Sequence, residues 1–215
     1  MRTNVYIDGF NLYYGCLKGT DHRWLDLRAL CRQMLPGNEI GRIRYFTARI
    51  SARTATDLGP AHQDVYLRAL TSIPRLEIHL GTFLTTITRM PLAPPLPPSG
   101  TATVRVVKTE EKGSDVNLAT HLLADAFRGD CEQSVVVTND SDLAEPMRLV
   151  REELGLAVGL INPHPRQASR ALIRTRPTFV KSIRPGVLPG CQFPGTVEVP
   201  GTGGVVQRYT KPPGW

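Results

Sequence analysis

The segment S-V-V-V-T-N-D-S-D-L, residues 134–143, decides the fold. It begins with a β-branched run at 135–137 and ends in a polar tip that carries Asp140 and Asp142. A helical apolar pattern follows almost at once. Ligands of open α/β sheets bind at the carboxyl ends of the strands, so this tip is where a functional site is expected. The question is whether other strands bring further carboxylates to the same edge.

The first half of the chain alternates between strand and helix patterns. Residues 4–7 form an apolar strand that stops at Asp8, and residues 10–17 read as a short helix with Asn11 near its start. Asp26 is a plausible N-cap for the next helix, because apolar residues follow it at helical spacing. Strands are predicted at 43–48 and 76–80, with a helix at 61–70 between them. This alternation predicts right-handed βαβ crossovers and a parallel sheet.

Residues 81–108 interrupt that rhythm. Two strand patterns, 83–88 and 103–108, flank residues 90–100, which contain five prolines. This density of proline excludes regular structure and favours extended conformations. A surface β-hairpin inserted at about 82–107 is the favoured interpretation, and an SH3-type ligand is the alternative. Later strands are expected at 156–161 and, at an edge, 179–183, with a short helix at 168–174.

Composition indicates one domain with a sizeable core. The chain has 215 residues, of which 41% are hydrophobic. No run of about 18 apolar residues is present, and the N-terminus lacks the apolar centre of a signal peptide. The four cysteines form no C-x-x-C pair, which favours reduced thiols and a cytoplasmic protein. We expect an α/β domain over residues 1–184, and an irregular Pro/Gly-rich tail over residues 185–215 that either wraps the domain or is disordered.

The positive charge lies in the last quarter of the chain. The net charge is +7, and residues 163–215 carry eight lysines and arginines against one acid, Glu198. Such an excess suits a polyanionic partner such as nucleic acid, because neutralised phosphates give affinity without sequence preference. A solvated surface that only increases solubility is the alternative interpretation.

A helix is predicted at 115–127, and its first residue is unexpected. The apolar residues 116, 118, 119, 122, 123, 126 and 127 occupy one broad arc, and Asp115 falls near the middle of it. Ser114 is available as the N-cap. An inward-facing carboxylate needs backbone N–H groups or a cation as partner, so Asp115 is a candidate for another role.

The strand and helix patterns therefore predict that four aspartates lie together at one edge of the sheet: Asp8, Asp115, Asp140 and Asp142. Carboxylates packed together repel one another, and oxygen ligands of this kind suit Mg²⁺ or Mn²⁺. Each also has a structural alternative, since Asp142 with Glu145 forms a capping box, Asp8 can belong to a turn, and Asp115 suits the helix dipole. Asp140 has no evident role beyond turn formation, which makes it the first residue to substitute.

Three stretches resemble the motifs of NYN-domain proteins of the LabA/DUF88 group, in the PIN-like nuclease superfamily. They are V-Y-I-D-G-F-N at 5–11, K-G-S-D-V-N-L-A at 112–119 and V-V-V-T-N-D-S-D-L at 135–143. The resemblance covers roughly residues 3–162 and implies a Rossmann-like or PIN-like three-layer sandwich with a mainly parallel sheet. It also implies a Mg²⁺- or Mn²⁺-dependent ribonuclease in which Asp8, Asp115, Asp140 and Asp142 bind metal and catalyse. Asn11 and Ser141 would bind substrate, with Thr138 in a supporting position.

Further contacts are suggested by the residues around the motifs. Lys112, on a glycine-containing loop before Asp115, is a candidate phosphate contact, with a solvated lysine as the alternative. Gln63, Tyr66 and Arg68 form a candidate RNA-facing surface, with a place in the core as the more frequent alternative for Tyr66. The spacing of Arg170 and Arg174 suits a basic groove or plain solvent exposure.

The hypothesis from sequence is a single-domain endoribonuclease acting on single-stranded RNA, with a homodimer as a possible assembly. An RNA-binding adaptor with little turnover is the alternative. A haloacid dehalogenase-like phosphatase is disfavoured because Phe10 stands where its second aspartate belongs. A dinucleotide oxidoreductase is disfavoured because no G-x-G-x-x-G follows the first strand.

Overall fold

The structure is a computed structural model that describes residues 1–52, 54–93, 103–165 and 167–215. The described strands are β1 (Arg2–Asp8), β2 (Glu39–Ala48), β3 (Leu76–Pro91), β4 (Thr103–Lys112), β5 (Gln133–Val137), β6 (Ala157–Asn162), β7 (Phe179–Ser182), β8 (Thr196–Pro200) and β9 (Val206–Thr210). The described α-helices are α1 (Gly9–Leu12), α2 (Leu27–Met34), α3 (Gly59–Leu70), α4 (Ser114–Phe127), α5 (Ala144–Glu152) and α6 (Arg170–Arg174).

Seven strands form one sheet in the order β4-β3-β2-β1-β5-β6-β7, and the predicted α/β class is confirmed. All pairings in it are parallel except that of β4 with β3. Side chains alternate across β1, so Val5 and Ile7 pack towards α2 and α3 while Tyr6 packs towards α4 and α5. Helices therefore cover both faces of the sheet. The order reverses between β1 and β5, the position at which such sheets bind ligands.

The predicted β-hairpin is present and longer than expected. The first part of β3 pairs with β2, and its second part pairs with β4 from Thr82↔Lys112 to Pro91↔Thr103. This second part leaves the sheet as a two-stranded arm, defined by residues 82–91 and 103–112. The proline-rich connection was predicted at 90–100, and its residues from 94 onward lie outside the described part of the chain.

Helix α4 faces the core with a different stripe from the one predicted. Leu118 and Leu122 are fully buried, but Val116 and Phe127 are exposed, so the expectation that these two face inward is wrong. The buried stripe is rotated because Asp125 belongs to it. This carboxylate accepts hydrogen bonds from the Tyr6 hydroxyl and from Arg44, whose guanidinium is itself buried. A paired charge can occupy the core where an unpaired one could not.

The C-terminal segment is ordered, so its expected irregular structure is wrong. A 3-10 segment, Pro185–Cys191, is followed by the antiparallel hairpin of β8 and β9. Leu188, Phe193 and Val197 join the core on the side of α2 and α3. Proline and glycine dominate the sequence, but buried Val197 and Val199 alternate with exposed residues, as in a strand with one buried face.

Several basic side chains of residues 163–215, the part of the chain with the excess positive charge, make structural contacts. Arg208 pairs with Glu198, while Lys181 and Lys211 donate to main-chain carbonyl groups. Arg170 and Arg174 line an open groove of about 600 Å³ beside β7. Arg166 lies outside the described residues. Part of the C-terminal charge is therefore engaged in contacts within the domain, and part of it faces the groove and solvent.

Two further observations concern the chain's environment. The four cysteines are free thiols, as the sequence predicts. Among the described helices, none combines the length and the apolar character needed to cross a membrane.

A candidate metal centre at the switch point

Three of the four predicted aspartates meet at the edge of the sheet. Strands β1 and β5 are neighbours, with Ile7 beside Val137, so the residues that follow them share one edge. One oxygen each of Asp8, Asp115 and Asp140 lies within 4.8 Å of the others. Asp142 is exposed and lies outside this trio, which corrects its expected place in the cluster.

Asp8 is the buried member of the trio, with 4% of its surface exposed. Its Oδ1 accepts a hydrogen bond from the Asn11 N–H at 2.9 Å, and its Oδ2 accepts one from the Thr138 hydroxyl at 3.0 Å. Burial raises the pKa of Asp8 to about 6, and the neighbouring charges of Asp115 and Asp140 add to the rise, against these two hydrogen bonds. The site holds a carboxylate that is costly to ionise.

Asp140 and Asp142 have the reverse of their predicted structural roles. The Asp140 Oδ1 accepts the Asp142 N–H at 2.9 Å, so Asp140 caps the 3-10 turn Ser141–Leu143. Asp142 makes no side-chain cap. Thr138 connects the two strand ends, because its hydroxyl donates to Asp8 and accepts from the Asp140 N–H at 3.0 Å. Thr138 is fully buried, so it positions the carboxylates and does not touch substrate.

Asp115 enters the site from the first turn of α4 and is half-buried. Its pKa is raised by burial and then by the charges of Asp140, Glu111 and Asp142. The expected cap, Ser114, is instead the first helical residue. Its N–H and hydroxyl donate to the Glu111 carboxylate at 3.0 and 2.6 Å.

Glu111 is a fourth acid of the cleft that the sequence did not single out. A Cβ at Gly81 would lie 2.2 Å from the Glu111 Oε1, so only glycine leaves space for this carboxylate to fold back to α4. The order Glu111 before Ser114 is the reverse of a capping box, so the sequence offers no motif that singles out Glu111.

His164 is a second residue that the sequence missed. It follows β6, the neighbour of β5, and its Nε2 lies 2.9 Å from the Asn11 Oδ1. The same Asn11 oxygen accepts the Asn139 N–H at 2.9 Å. Asn11 is therefore held by two elements, and it lines the cleft as predicted. His164 could have been found by searching the residues after β6 as well, because functional residues of such sheets follow the carboxyl ends of the strands.

The carboxylates form one wall of a cleft of about 240 Å³, and aromatic side chains line it as well. Phe10 and Phe83 meet edge to face, with ring centroids 5.7 Å apart. Tyr14 is 53% exposed, and the Lys18 ammonium lies 4.9 Å from its ring centroid. Such a cleft offers an acidic centre beside surfaces on which a flat ring can stack.

Other predicted contacts lie elsewhere. Lys112 and Ser141 are exposed but are not among the residues lining the cleft, and the Lys112 ammonium lies 3.6 Å from Glu110. Gln63 and Tyr66 are structural, because both hydrogen-bond to the main chain and Tyr66 is buried. Arg68 pairs with Asp64. The expected RNA-facing role on α3 is therefore wrong for Gln63, and Tyr66 has the core position that was its alternative.

The acidic trio fits a divalent cation. In the described part of the chain, no ion pair involves Asp8, Asp115 or Asp140, so no lysine or arginine neutralises them. Hard oxygen donors without a cationic partner are the ligands that Mg²⁺ and Mn²⁺ prefer.

A mainly parallel sheet with acids at the β1–β5 switch point defines a Rossmann-like α/β protein with a candidate metal centre. The chain belongs to the NYN domain family, whose model matches residues 2–183. It is 33% identical, over 224 aligned positions, to the 6-hydroxy-3-succinoylpyridine 3-monooxygenase HspA of Pseudomonas putida (strain DSM 28022 / S16). That alignment covers 92% of this chain and 72% of the relative.

A solved structure gives an independent view of the fold. A protein of unknown function from Vibrio parahaemolyticus RIMD 2210633 superposes with a TM-score of 0.53 at 16% identity. The match covers 85% of this chain and 93% of that one. At this identity the likeness concerns the fold alone.

Proposed function

We propose that this protein is a metal-dependent ribonuclease that hydrolyses phosphodiester bonds of single-stranded RNA. The observation that carries the proposal is the trio of Asp8, Asp115 and Asp140, which lies in a cleft with aromatic walls and forms no ion pair with a cationic side chain of the described residues. An NYN domain over residues 2–183 supports it.

Asp8, Asp115 and Asp140 would hold Mg²⁺ or Mn²⁺. When bound, such an ion supplies charge stabilisation for a phosphoryl group under attack. Thr138 and the Asn11 N–H keep the Asp8 oxygens in place, and the Asp140 cap fixes the neighbouring turn. Because the pKa of Asp8 is about 6, this carboxyl is ionised at neutral pH and becomes protonated in mild acid.

The aromatic wall would orient the substrate. Tyr14, which is half-exposed, and Phe83 offer ring faces and edges to a base next to the cut bond. Stacking of this kind accepts every base and is worth about 1–3 kcal/mol for each one. Selectivity for single strands then follows, because paired bases cannot reach the wall.

The proposal is tested with labelled single-stranded RNA in Mn²⁺, in Mg²⁺ and in EDTA, comparing wild type with Asp140→Asn. Asparagine keeps the cap oxygen for the Asp142 N–H, so the variant is expected to fold. We expect cleavage with metal, none in EDTA, and a loss of about 100-fold or more in the variant, since even indirect supports of metal ligands cost 10–100-fold. Cleavage that survives both EDTA and the substitution would overturn the proposed mechanism. RNA that is bound but never cut would instead favour the adaptor alternative.

Oxidative chemistry on a hydroxypyridine is the second candidate function. It is favoured by the 33% identity to a protein named as a 6-hydroxy-3-succinoylpyridine 3-monooxygenase. A cleft of about 240 Å³ with aromatic walls could also accept a single pyridine ring. Incubation with 6-hydroxy-3-succinoylpyridine, dioxygen and a reduced nicotinamide separates the two. Loss of the pyridine by the wild type, without RNA cleavage, would replace the nuclease proposal.

A further inference from the structure

We propose that one face of the β3–β4 arm is a track for single-stranded RNA that leads out of the cleft. This inference rests on the proposed function and names the path of the substrate chain beyond the reacting bond.

The register of the arm defines its two faces. Cross-strand partners lie side by side on the same face, and successive pairs alternate between faces. The cleft face, as we name it, carries the pairs Phe83↔Glu111, Thr85↔Thr109, Ile87↔Val107, Arg89↔Arg105 and Pro91↔Thr103. The opposite face carries Thr82↔Lys112, Leu84↔Glu110, Thr86↔Lys108, Thr88↔Val106 and Met90↔Val104.

The cleft face is continuous with the candidate metal centre. Its first pair, Phe83 and Glu111, lines the cleft itself. Arg89 lies six residues farther along β3, about 20 Å away at roughly 3.3 Å per residue. A strand of RNA that leaves the carboxylates along this face therefore meets the arginine pair after a short, defined distance.

The arginine pair is unusual for a free hairpin. Like charges directly opposite each other destabilise an antiparallel pair. Arg89 and Arg105 are both exposed, and neither takes part in an ion pair among the described residues. The sequence of residues 94–102, which lie outside the described part of the chain, contains no aspartate or glutamate. An external anion is therefore the partner that fits, and the phosphates of a nucleic acid supply one.

The residues between the cleft and the arginines suit the bases of the same strand. Ile87 and Val107 are 64% and 69% exposed and lie opposite each other. Next to them, the Thr85 and Thr109 hydroxyl groups are 3.0 Å apart. An isolated two-stranded arm gains little stability from such an exposed apolar pair. In the proposed track, the Ile87 and Val107 side chains would contact the unstacked faces of bases.

The opposite face has a different charge pattern. Lys108 lies 2.7 Å from Glu110, which also lies 3.6 Å from Lys112, so both lysines of this face share an acid as partner within the arm. Leu84, Met90 and Val104 are exposed there, but none of them lines the cleft. The two faces therefore provide a matched comparison on one hairpin.

Binding is measured in EDTA with a labelled oligouridine long enough to cover both cleft and arm, across a range of salt concentrations. Arg89→Gln and Arg105→Gln are compared with Lys108→Gln, which removes the same charge from the opposite face. Each arginine variant should weaken binding and reduce the slope of log affinity against log salt by about 0.7, the value for one phosphate of a single strand. Lys108→Gln should change the slope by less than half of that.

A charge reversal separates binding from folding. Arg105→Glu places an acid opposite Arg89, so the thermal midpoint should stay equal or rise while oligouridine affinity falls at least tenfold. Equal losses from Lys108→Gln and Arg105→Gln would overturn the track, because binding would then follow net charge alone. A change from dimer to monomer in Ile87→Thr, with unchanged RNA affinity, would overturn it in favour of contact with a second copy.

Failure of the track and failure of the nuclease proposal give different results. If only the track is wrong, long RNA is still cut by the wild type, and the arginine variants cut it equally well. If the nuclease proposal is wrong, no RNA is cut with either metal, whatever the binding slopes are. If both hold, the arginine variants lose cleavage of long RNA but keep that of a dinucleotide, which cannot reach the arm.

Discussion

Asp8 combines two opposing demands, since it must be ionised to hold a cation and yet lies almost fully buried. Two hydrogen bonds support its charged form, but burial and two neighbouring aspartates outweigh them. Groups with pKa values perturbed in this way concentrate at functional sites. The ionised Asp8 therefore lowers the stability of the protein, and it would serve as a ligand of the proposed cation.

Substitution of Asp8 should consequently stabilise the metal-free protein at neutral pH. The folded-state pKa of about 6 lies above the ordinary 3.8. The stability that protonated Asp8 contributes is therefore fully present below pH 3.8 and is lost as the pH rises through about 6. That rise corresponds to roughly 3 kcal/mol once Asp8 is ionised. In urea unfolding with EDTA, Asp8→Asn should equal wild type near pH 4 and exceed it by about 1–3 kcal/mol near pH 7.

Addition of Mn²⁺ provides the control for that experiment. The ion should stabilise wild type at pH 7 and leave Asp8→Asn almost unchanged, because binding to the folded state alone raises stability. A variant that is less stable than wild type at every pH would show that the buried charge is compensated in some other way.

At the scale of elements, the start of α4 decides where Asp115 points. Gly113, the N-cap position, has a φ of +97° and supplies no side-chain cap. The arm provides the cap instead, through Glu111 at the end of β4. One carboxylate thereby joins the arm to the helix and adds negative charge beside Asp115. The orientation of the arm and the geometry of the acidic trio are coupled through this contact.

Removal of that cap should loosen α4 at its first turn. Glu111→Ala leaves the Ser114 N–H without its acceptor and should cost about 1 kcal/mol, a typical value for a lost helix cap. Glu110→Ala is the matched control, because its exposed pairing with Lys108 is worth at most about 1 kcal/mol and leaves α4 intact. Urea unfolding gives the cost, and hydrogen exchange of the Ser114–Asn117 amides locates it. Equal exchange in the two variants would contradict the capping role.

At the scale of the molecule, the C-terminal segment completes the core. Its buried residues cover α2 and α3, where the Trp24 indole donates to the Pro194 carbonyl at 2.8 Å and packs on Phe193. At the chain end, Trp215 packs against Tyr66. The matched NYN region ends at residue 183, before this segment, yet the two share one hydrophobic cluster.

Truncation after Arg184 should therefore unfold the protein. Five buried apolar side chains would be lost, at about 1.5–3 kcal/mol each, which is comparable with the whole stability of a domain. Phe193→Ala should cost about 3–5 kcal/mol, whereas the surface change Arg208→Gln should cost less than about 1 kcal/mol. Thermal unfolding followed by circular dichroism measures all three. A truncated chain with the wild-type midpoint would show that residues 1–184 fold independently.

The sequence by itself determined the fold class, the hairpin insertion and the three aspartates that form the candidate metal centre. Strand period, helix period and the carboxyl-end rule depend on local patterns, so Asp8 and Asp140 could be placed at one edge without coordinates. Asp115 could be singled out because a charge within an apolar arc stands out in any helical wheel.

Only the tertiary structure decided which side chains complete the site. Asp142 was expected within the cluster and lies outside the trio; its N–H is held by the Asp140 cap, and its side chain is exposed. Glu111 lies only four residues before Asp115, but its return to the start of α4 depends on the course of the arm. His164 is far from Asn11 in sequence, and its approach depends on the loop after β6. The ordered C-terminal hairpin was missed for a related reason. Its apolar residues are too few to predict a strand alone, and they become a strand only where α2 and α3 offer a surface to cover.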